Sequence, residues 1–176
     1  MPHSTRCICC KLSEDLPRFR CAGPAKAGDQ RLHFLYAKLL NDHALGQAEE
    51  ISHHLKKSFG PGDRKLEPRL LYGRQLFLMG KIDESEEVFS ELRIQRMSPE
   101  SRTKLRFKST DLLDGVITYL DFNYFIIRRT GDSASIYCSR DDLSRSEWDS
   151  VAKDCRIRFK AAFCMNGVRA FGIEKA

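Results

Sequence analysis

The sequence predicts an α+β protein, with helical hairpins in its middle and a small β-barrel at its carboxy-terminal end. From Arg31 to about Arg96, apolar residues recur every three to four positions, the period of helices packed on one side. From Gly115 onward the pattern changes to alternation with period two. It runs through Gly115-Val116-Ile117-Thr118-Tyr119, Tyr124-Phe125-Ile126-Ile127 and Ile136-Tyr137-Cys138-Ser139, as half-buried strands require. Several positions expected on the outer face are aromatic. A small barrel that shows rings to solvent offers unpaired bases a surface on which to stack.

Bulk properties bound the function. With 176 residues the chain holds one large domain or two small ones. No apolar run approaches the roughly 18 residues of a membrane span. Met1-Pro2-His3-Ser4-Thr5-Arg6 leads into no apolar stretch, so a secretory signal is not expected and the reading is cytoplasmic. Net charge is +6, unevenly placed: residues 108–176 carry 11 basic and 10 acidic side chains, which leaves +5 for residues 1–107. A nearly neutral barrel has little electrostatic pull on phosphates by itself. Seven cysteines, an odd number without a signal peptide, argue against a disulfide framework. Cys138, Cys155 and Cys164 lie among strand residues and read as buried free thiols.

Residues 1–30 read as an irregular, cysteine-containing segment punctuated by Leu16-Pro17, Gly23-Pro24 and Gly28-Asp29. Residues 31–107 form the helical region. Leu32, Leu35, Leu39 and Leu40 mark a first helix, and Ala44, Ala48 and Ile51 a second. After a break at Phe59-Gly60-Pro61-Gly62-Asp63, a third helix opens near Pro68, which a first turn tolerates because its missing donor has no partner there. Gly80-Lys81 punctuates. Ile82, Val88, Phe89 and Leu92 then mark a fourth helix, with Asp83 and Glu84 at its positive end, and Ser98-Pro99 closes the run. Residues 100–112 read as either a helix tail or an approach strand, and residues 108–176 as the barrel.

Two helix pairs with small residues near their crossings suggest stacked hairpin repeats, with a plain four-helix bundle or a helical cap as the alternative. The second pair resembles a tetratricopeptide repeat through Gly73, Leu76, Gly80 and Phe89. Ser85 stands where that family has alanine, and Arg69 where it has a large aromatic.

Residues 114–175 resemble a cold-shock domain, which implies a five-stranded oligonucleotide-binding (OB-fold) barrel. Gly115, Val116, Ile117 and Tyr119 fit that family's opening strand, and Tyr124-Phe125-Ile126 its first ribonucleoprotein motif. Ile136-Tyr137-Cys138-Ser139-Arg140-Asp141-Asp142-Leu143 follows its second motif in unbroken register. Ile157-Arg158-Phe159 and Gly167-Val168-Arg169-Ala170 fit its later strands. The chain departs from the pattern at Ser139, in place of a histidine, at Asn123, in place of an aromatic, and at Tyr124, in place of a glycine.

Alternation places Ile136 and Cys138 inside, with Tyr137 and Ser139 outside. It further suggests Phe125 and Ile127 outside, with Tyr124 and Ile126 inside. The expected nucleic-acid site is therefore Tyr119, Phe125 and Tyr137 as stacking rings, Ser139 beside them, and Arg128, Arg129 and Arg140 at the phosphates. Single-stranded RNA or DNA is the implied ligand, because a base must be unstacked before a protein ring can cover it. Trp148 and Val151 are expected to anchor the long connection before the fourth strand, and Phe159 to lie in the core.

Other signals are weaker. Cys7 and Cys10 have the spacing of a zinc pair, yet Cys21 lacks a nearby cysteine partner and His3 or His33 would have to join it. His53 and His54 are adjacent on a helix, where neighbours do not share a face. No phosphate loop, nucleophile elbow or metalloprotease helix is present. No enzyme activity, metal or cofactor is therefore expected. The rival reading is a protein-interaction adaptor whose degenerate barrel no longer holds nucleic acid, and a third is a zinc-dependent regulator.

Overall fold

The computed structural model describes residues 28–43, 47–95, 106–132 and 134–176. The expectations for residues 1–27, including zinc at Cys7, Cys10 and Cys21, lie outside the described residues, as do Ala44 and the stop at Ser98-Pro99. The chain divides into two compact units, Met1–Asp63 and Arg64–Ala176.

The first unit holds helices α1 (Gln30–Asp42) and α2 (Ala48–Lys57). Asp29 caps α1 by accepting hydrogen bonds from the amides of Arg31 (2.9 Å) and Leu32 (3.2 Å). Glu49 and Glu50 at the start of α2, and Lys56 and Lys57 at its end, match the helix dipole. Tyr36, Ala37 and Leu40 of α1 and Ile51 and Leu55 of α2 are buried where the two helices pack. His53 is exposed and His54 half-buried. The Nδ1 of His54 lies 2.7 Å from that of His33, and burial, then the two neighbouring histidines, hold its pKa below the ordinary value.

The second unit begins with a helical hairpin, α3 (Leu66–Leu78) and α4 (Ile82–Ile94), as the apolar spacing predicts. The turn between them is a Schellman cap: the amide of Lys81 donates to Leu76 O and that of Gly80 to Phe77 O. Gly80 takes the left-handed conformation this cap requires (φ 77°). The Ser85 hydroxyl donates to Gly73 O at 2.8 Å and ties the helices together where they cross.

Five strands follow: β1 (Arg106–Leu120), β2 (Tyr124–Arg129), β3 (Ser135–Ser139), β4 (Arg156–Cys164) and β5 (Gly167–Lys175). They close into a barrel in the order β1-β2-β3-β5-β4, antiparallel except for β3 beside β5. This order is compatible with an OB-like fold. The ambiguous segment before Leu112 is strand from Arg106 onward. β1 is long enough to pair with both β2 and β4, and Gly115 permits the close approach. A Cβ there would fall 2.4 Å from Ile127 Cγ2 and 3.0 Å from Arg128 O.

Ile117, Phe125, Ile127, Ile136, Cys138, Phe159 and Phe163 fill the barrel, all without exposed surface. Leu70, Phe77, Phe89 and Leu92 of the hairpin join the same core, with Phe77 edge-on to Phe163 at 5.5 Å. The hairpin is therefore part of the barrel's apolar interior. Burial, reinforced by Asp142, pushes the Cys138 thiol up to about 12, so it stays protonated and inert.

Between β3 and β4 a short helix, α5 (Arg145–Ser150), carries a capping box. Ser144 Oγ accepts from the Glu147 amide, and Glu147 accepts from the Ser144 amide at 2.7 Å. Glu147 also accepts from the Ile173 amide at 3.1 Å, which fastens the connection to β5. Those bonds, the Ser144 pair foremost, hold the Glu147 carboxyl below its ordinary pKa. Trp148 and Val151 pack against the core as anticipated, Trp148 with its ring 5.7 Å from that of Phe125.

Candidate nucleic-acid interface

The expected phase of β2 is overturned. Phe125 does not face outward: it is fully buried, as is Ile127, while Tyr124 and Ile126 take the outer positions. Strand pairing explains the phase. Residues directly opposite one another share a face. Phe125 lies opposite Cys138 and Ile127 opposite Ile136, so all four point into the barrel. Tyr124 is then opposite Ser139, and Ile126 opposite Tyr137, on the outer face.

Tyr119 reaches that outer face through a local irregularity. Ile117 pairs with Ile127 inside the barrel, whereas Tyr119 pairs with Ile126 outside, and the register shifts between them at Thr118. This β-bulge re-aims Tyr119, which strict alternation would have sent inward with Ile117.

The outer rings form a series. Tyr119 and Tyr124 have centroids 5.6 Å apart, and Tyr124 stacks on Tyr137 at 5.3 Å with planes 20° apart. The guanidinium of Arg169, brought beside Tyr137 by the parallel β3–β5 pairing, lies 5.2 Å from that ring's centroid and ends the series. It also reaches Asp142 at 3.5 Å. At the other end Tyr119 is 47% exposed and donates to Asp121 at 2.9 Å. Hydrogen bonding with Tyr124, and then with Asp121, raises the Tyr119 phenol to about 12.

Beyond Tyr119, in the β1–β2 turn, Phe122 is 75% exposed. Arg140 lies against it, 5.4 Å from its centroid and 5.5 Å from that of Trp148. The exposed end of the strip is thus Tyr119 and Phe122, and its ordered interior is Tyr124, Tyr137 and Arg169.

The expected cations separate into two kinds. Arg128 is exposed and in no ion pair among the described residues. It shares the outer face with Arg156 of β4, since both lie opposite Val116. Arg140 is exposed beside the turn rings. Arg129 is not available to phosphate. It pairs with Asp132, donates to Phe77 O at 3.3 Å and lies 4.1 Å from the Phe77 ring, so it bolts α3 to the barrel. Burial lowers its pKa from the usual guanidinium value.

Of the expected site residues, Tyr119, Tyr137, Ser139 and Arg128 stand on one face, Arg140 stands at its edge, and Phe125 is absent from it. Tyr124, Phe122, Arg156 and Arg169 join the surface although sequence reasoning did not assign them to it. The replacement of the motif glycine by Tyr124 was the available signal for that residue; Arg169 had none, because only the β3–β5 pairing brings it to Tyr137.

Among the described residues no group of three or more histidine, cysteine or acidic side chains is placed to hold a metal, and no helix is long and apolar enough to cross a membrane. No protein-family model matches the chain, and no curated protein matches it either.

Proposed function

We propose that this protein binds single-stranded nucleic acid, RNA or DNA, along the outer face of β1–β3, and that it acts as a cytoplasmic binding module rather than an enzyme. The observation that carries the reading is the aromatic strip from Phe122 and Tyr119 through Tyr124 to Tyr137. Rings left open to water on a barrel face add little to the fold and stay free to meet a ligand. A base stacked on such a ring contributes about 1–3 kcal/mol, with little dependence on which base it is. Arg128, Arg140 and Arg156 supply phosphate contacts around the rings. The cold-shock resemblance of residues 114–175 adds support, because its second motif places Tyr137 and Ser139 on this face. The helical hairpin α1–α2, with Leu35 exposed on α1, is the surface we assign to a protein partner.

Fluorescence anisotropy of the full chain with labelled single strands and the matching duplex tests this reading. Single strands should bind and the duplex should not. Few cations line the strip, so the logarithm of affinity should fall only shallowly with that of salt, by about 0.7 per phosphate contact. The near-neutral charge of residues 108–176 favours the adaptor instead, and absence of binding to every oligonucleotide would select it.

A further inference from the structure

Where the strip ends at Tyr137, a cleft of about 290 Å³ opens between α4 and strands β3 and β5, all within the second unit. We propose that this cleft is a base-selecting pocket that receives one guanine of a single strand lying on the strip; the inference rests on the function proposed above. Small-ligand pockets run from about 300 Å³ upward, so this volume suits one nucleoside and not two. Tyr137 belongs to both the strip and the cleft, which makes the two surfaces continuous. Val168, half-buried, supplies apolar surface for the face of a base, and the core residue Phe77 underlies the cleft.

The polar lining decides which base. Arg93 pairs with Glu86 and donates from Nε to Asn166 O at 3.1 Å, so the charge of Glu86 is already met. Gly167 leaves room for this clasp, since a Cβ there would lie 3.2 Å from Arg93 Nη2. Asp83 also lines the cleft, is exposed, and has no ion-pair partner among the described residues. A carboxylate accepts hydrogen bonds and repels phosphate. Its two oxygens are best satisfied by two adjacent donors on one edge. Guanine offers these with N1–H and its 2-amino group. Adenine and cytosine place an amine next to an acceptor, and uracil has one N–H between two carbonyls. Asp83 is therefore assigned as the residue that reads guanine.

The test is competition anisotropy on the full chain with nine-nucleotide uridine strands, each carrying one central guanosine, inosine, adenosine or uridine. Inosine keeps N1–H and lacks the 2-amino group. The guanosine strand should bind about tenfold more tightly than the other three, the discrimination expected of one bidentate pair. Asp83→Asn should reduce the guanosine strand to the level of the rest and leave the uridine strand unchanged, with an unaltered circular dichroism spectrum. Equal affinity for all four strands, or a guanosine preference that survives Asp83→Asn, overturns the pocket and leaves the proposed function standing. Failure of all four to bind overturns both.

Discussion

The two faces of β2 and β3 differ by one residue in sequence and by everything in chemistry. The inner face carries Phe125, Ile127, Ile136 and Cys138, with no exposed surface, while the outer face carries Tyr124, Ile126, Tyr137 and Ser139. Phenylalanine has no polar atom to satisfy and belongs inside; tyrosine presents an apolar ring with a hydroxyl that prefers water or a partner. The inner rings hold the barrel together, and the outer rings are ordered by one another, by Asp121 and by Arg169. Substitutions on one face should therefore be read as stability and on the other as binding.

The largest expected effect is on the inner face. Phe125→Ala empties the barrel centre and should cost about 3–5 kcal/mol of stability, measured by urea denaturation. A loss below about 1 kcal/mol would mean that Phe125 is not the core residue described. At the exposed end of the outer face, Phe122→Ala and Tyr119→Ala should each weaken oligonucleotide binding roughly five- to hundredfold. Neither should move the urea midpoint appreciably, because exposed side chains away from caps and cores matter little to folding.

How much of this was legible beforehand follows from what periodicity can and cannot encode. The helices read correctly because apolar residues recur at helical spacing, although α3 is buried on nearly every side, and Pro68 and Gly80 stand where a first turn and a helix end tolerate them. The barrel read correctly as a set of alternating strands. The phase of β2 did not, because Tyr124-Phe125-Ile126-Ile127 is apolar at every position and alternation has nothing to grip. Phase is settled only by the register that sets Phe125 against Cys138. The bulge at Thr118 and the parallel β3–β5 pairing are likewise tertiary facts, which is why Arg169 went unassigned. Phe122 sits in a turn, where its ring carries no periodic signal. Nor did composition disclose that Phe77 and Phe89 share the barrel's core.

Smaller effects sharpen the comparison at the rim. Ser144→Ala removes the cap of α5 and should cost about 1 kcal/mol in thermal or urea denaturation. It should also loosen the segment that holds Trp148 under Arg140, seen as faster amide exchange in residues 145–150. The smallest effect is titrimetric. A phenol raised to about 12 by Tyr124 and Asp121 should ionise well above the ordinary tyrosine value near 10. Ultraviolet titration of Tyr124→Phe should show one tyrosine ionising earlier than in the parent protein. No change would separate Tyr119 from the ring series.

The central claim, that bases land on the outer tyrosines, is tested most directly by aromatic carbon–proton NMR spectra of the full chain titrated with a single-stranded oligonucleotide. Ring signals of Tyr119, Phe122, Tyr124 and Tyr137 should shift as stacked bases impose their ring currents, while those of Phe89 and Phe159 stay in place. Shifts confined to α1–α2, or an unperturbed outer face at saturating oligonucleotide, would contradict the account.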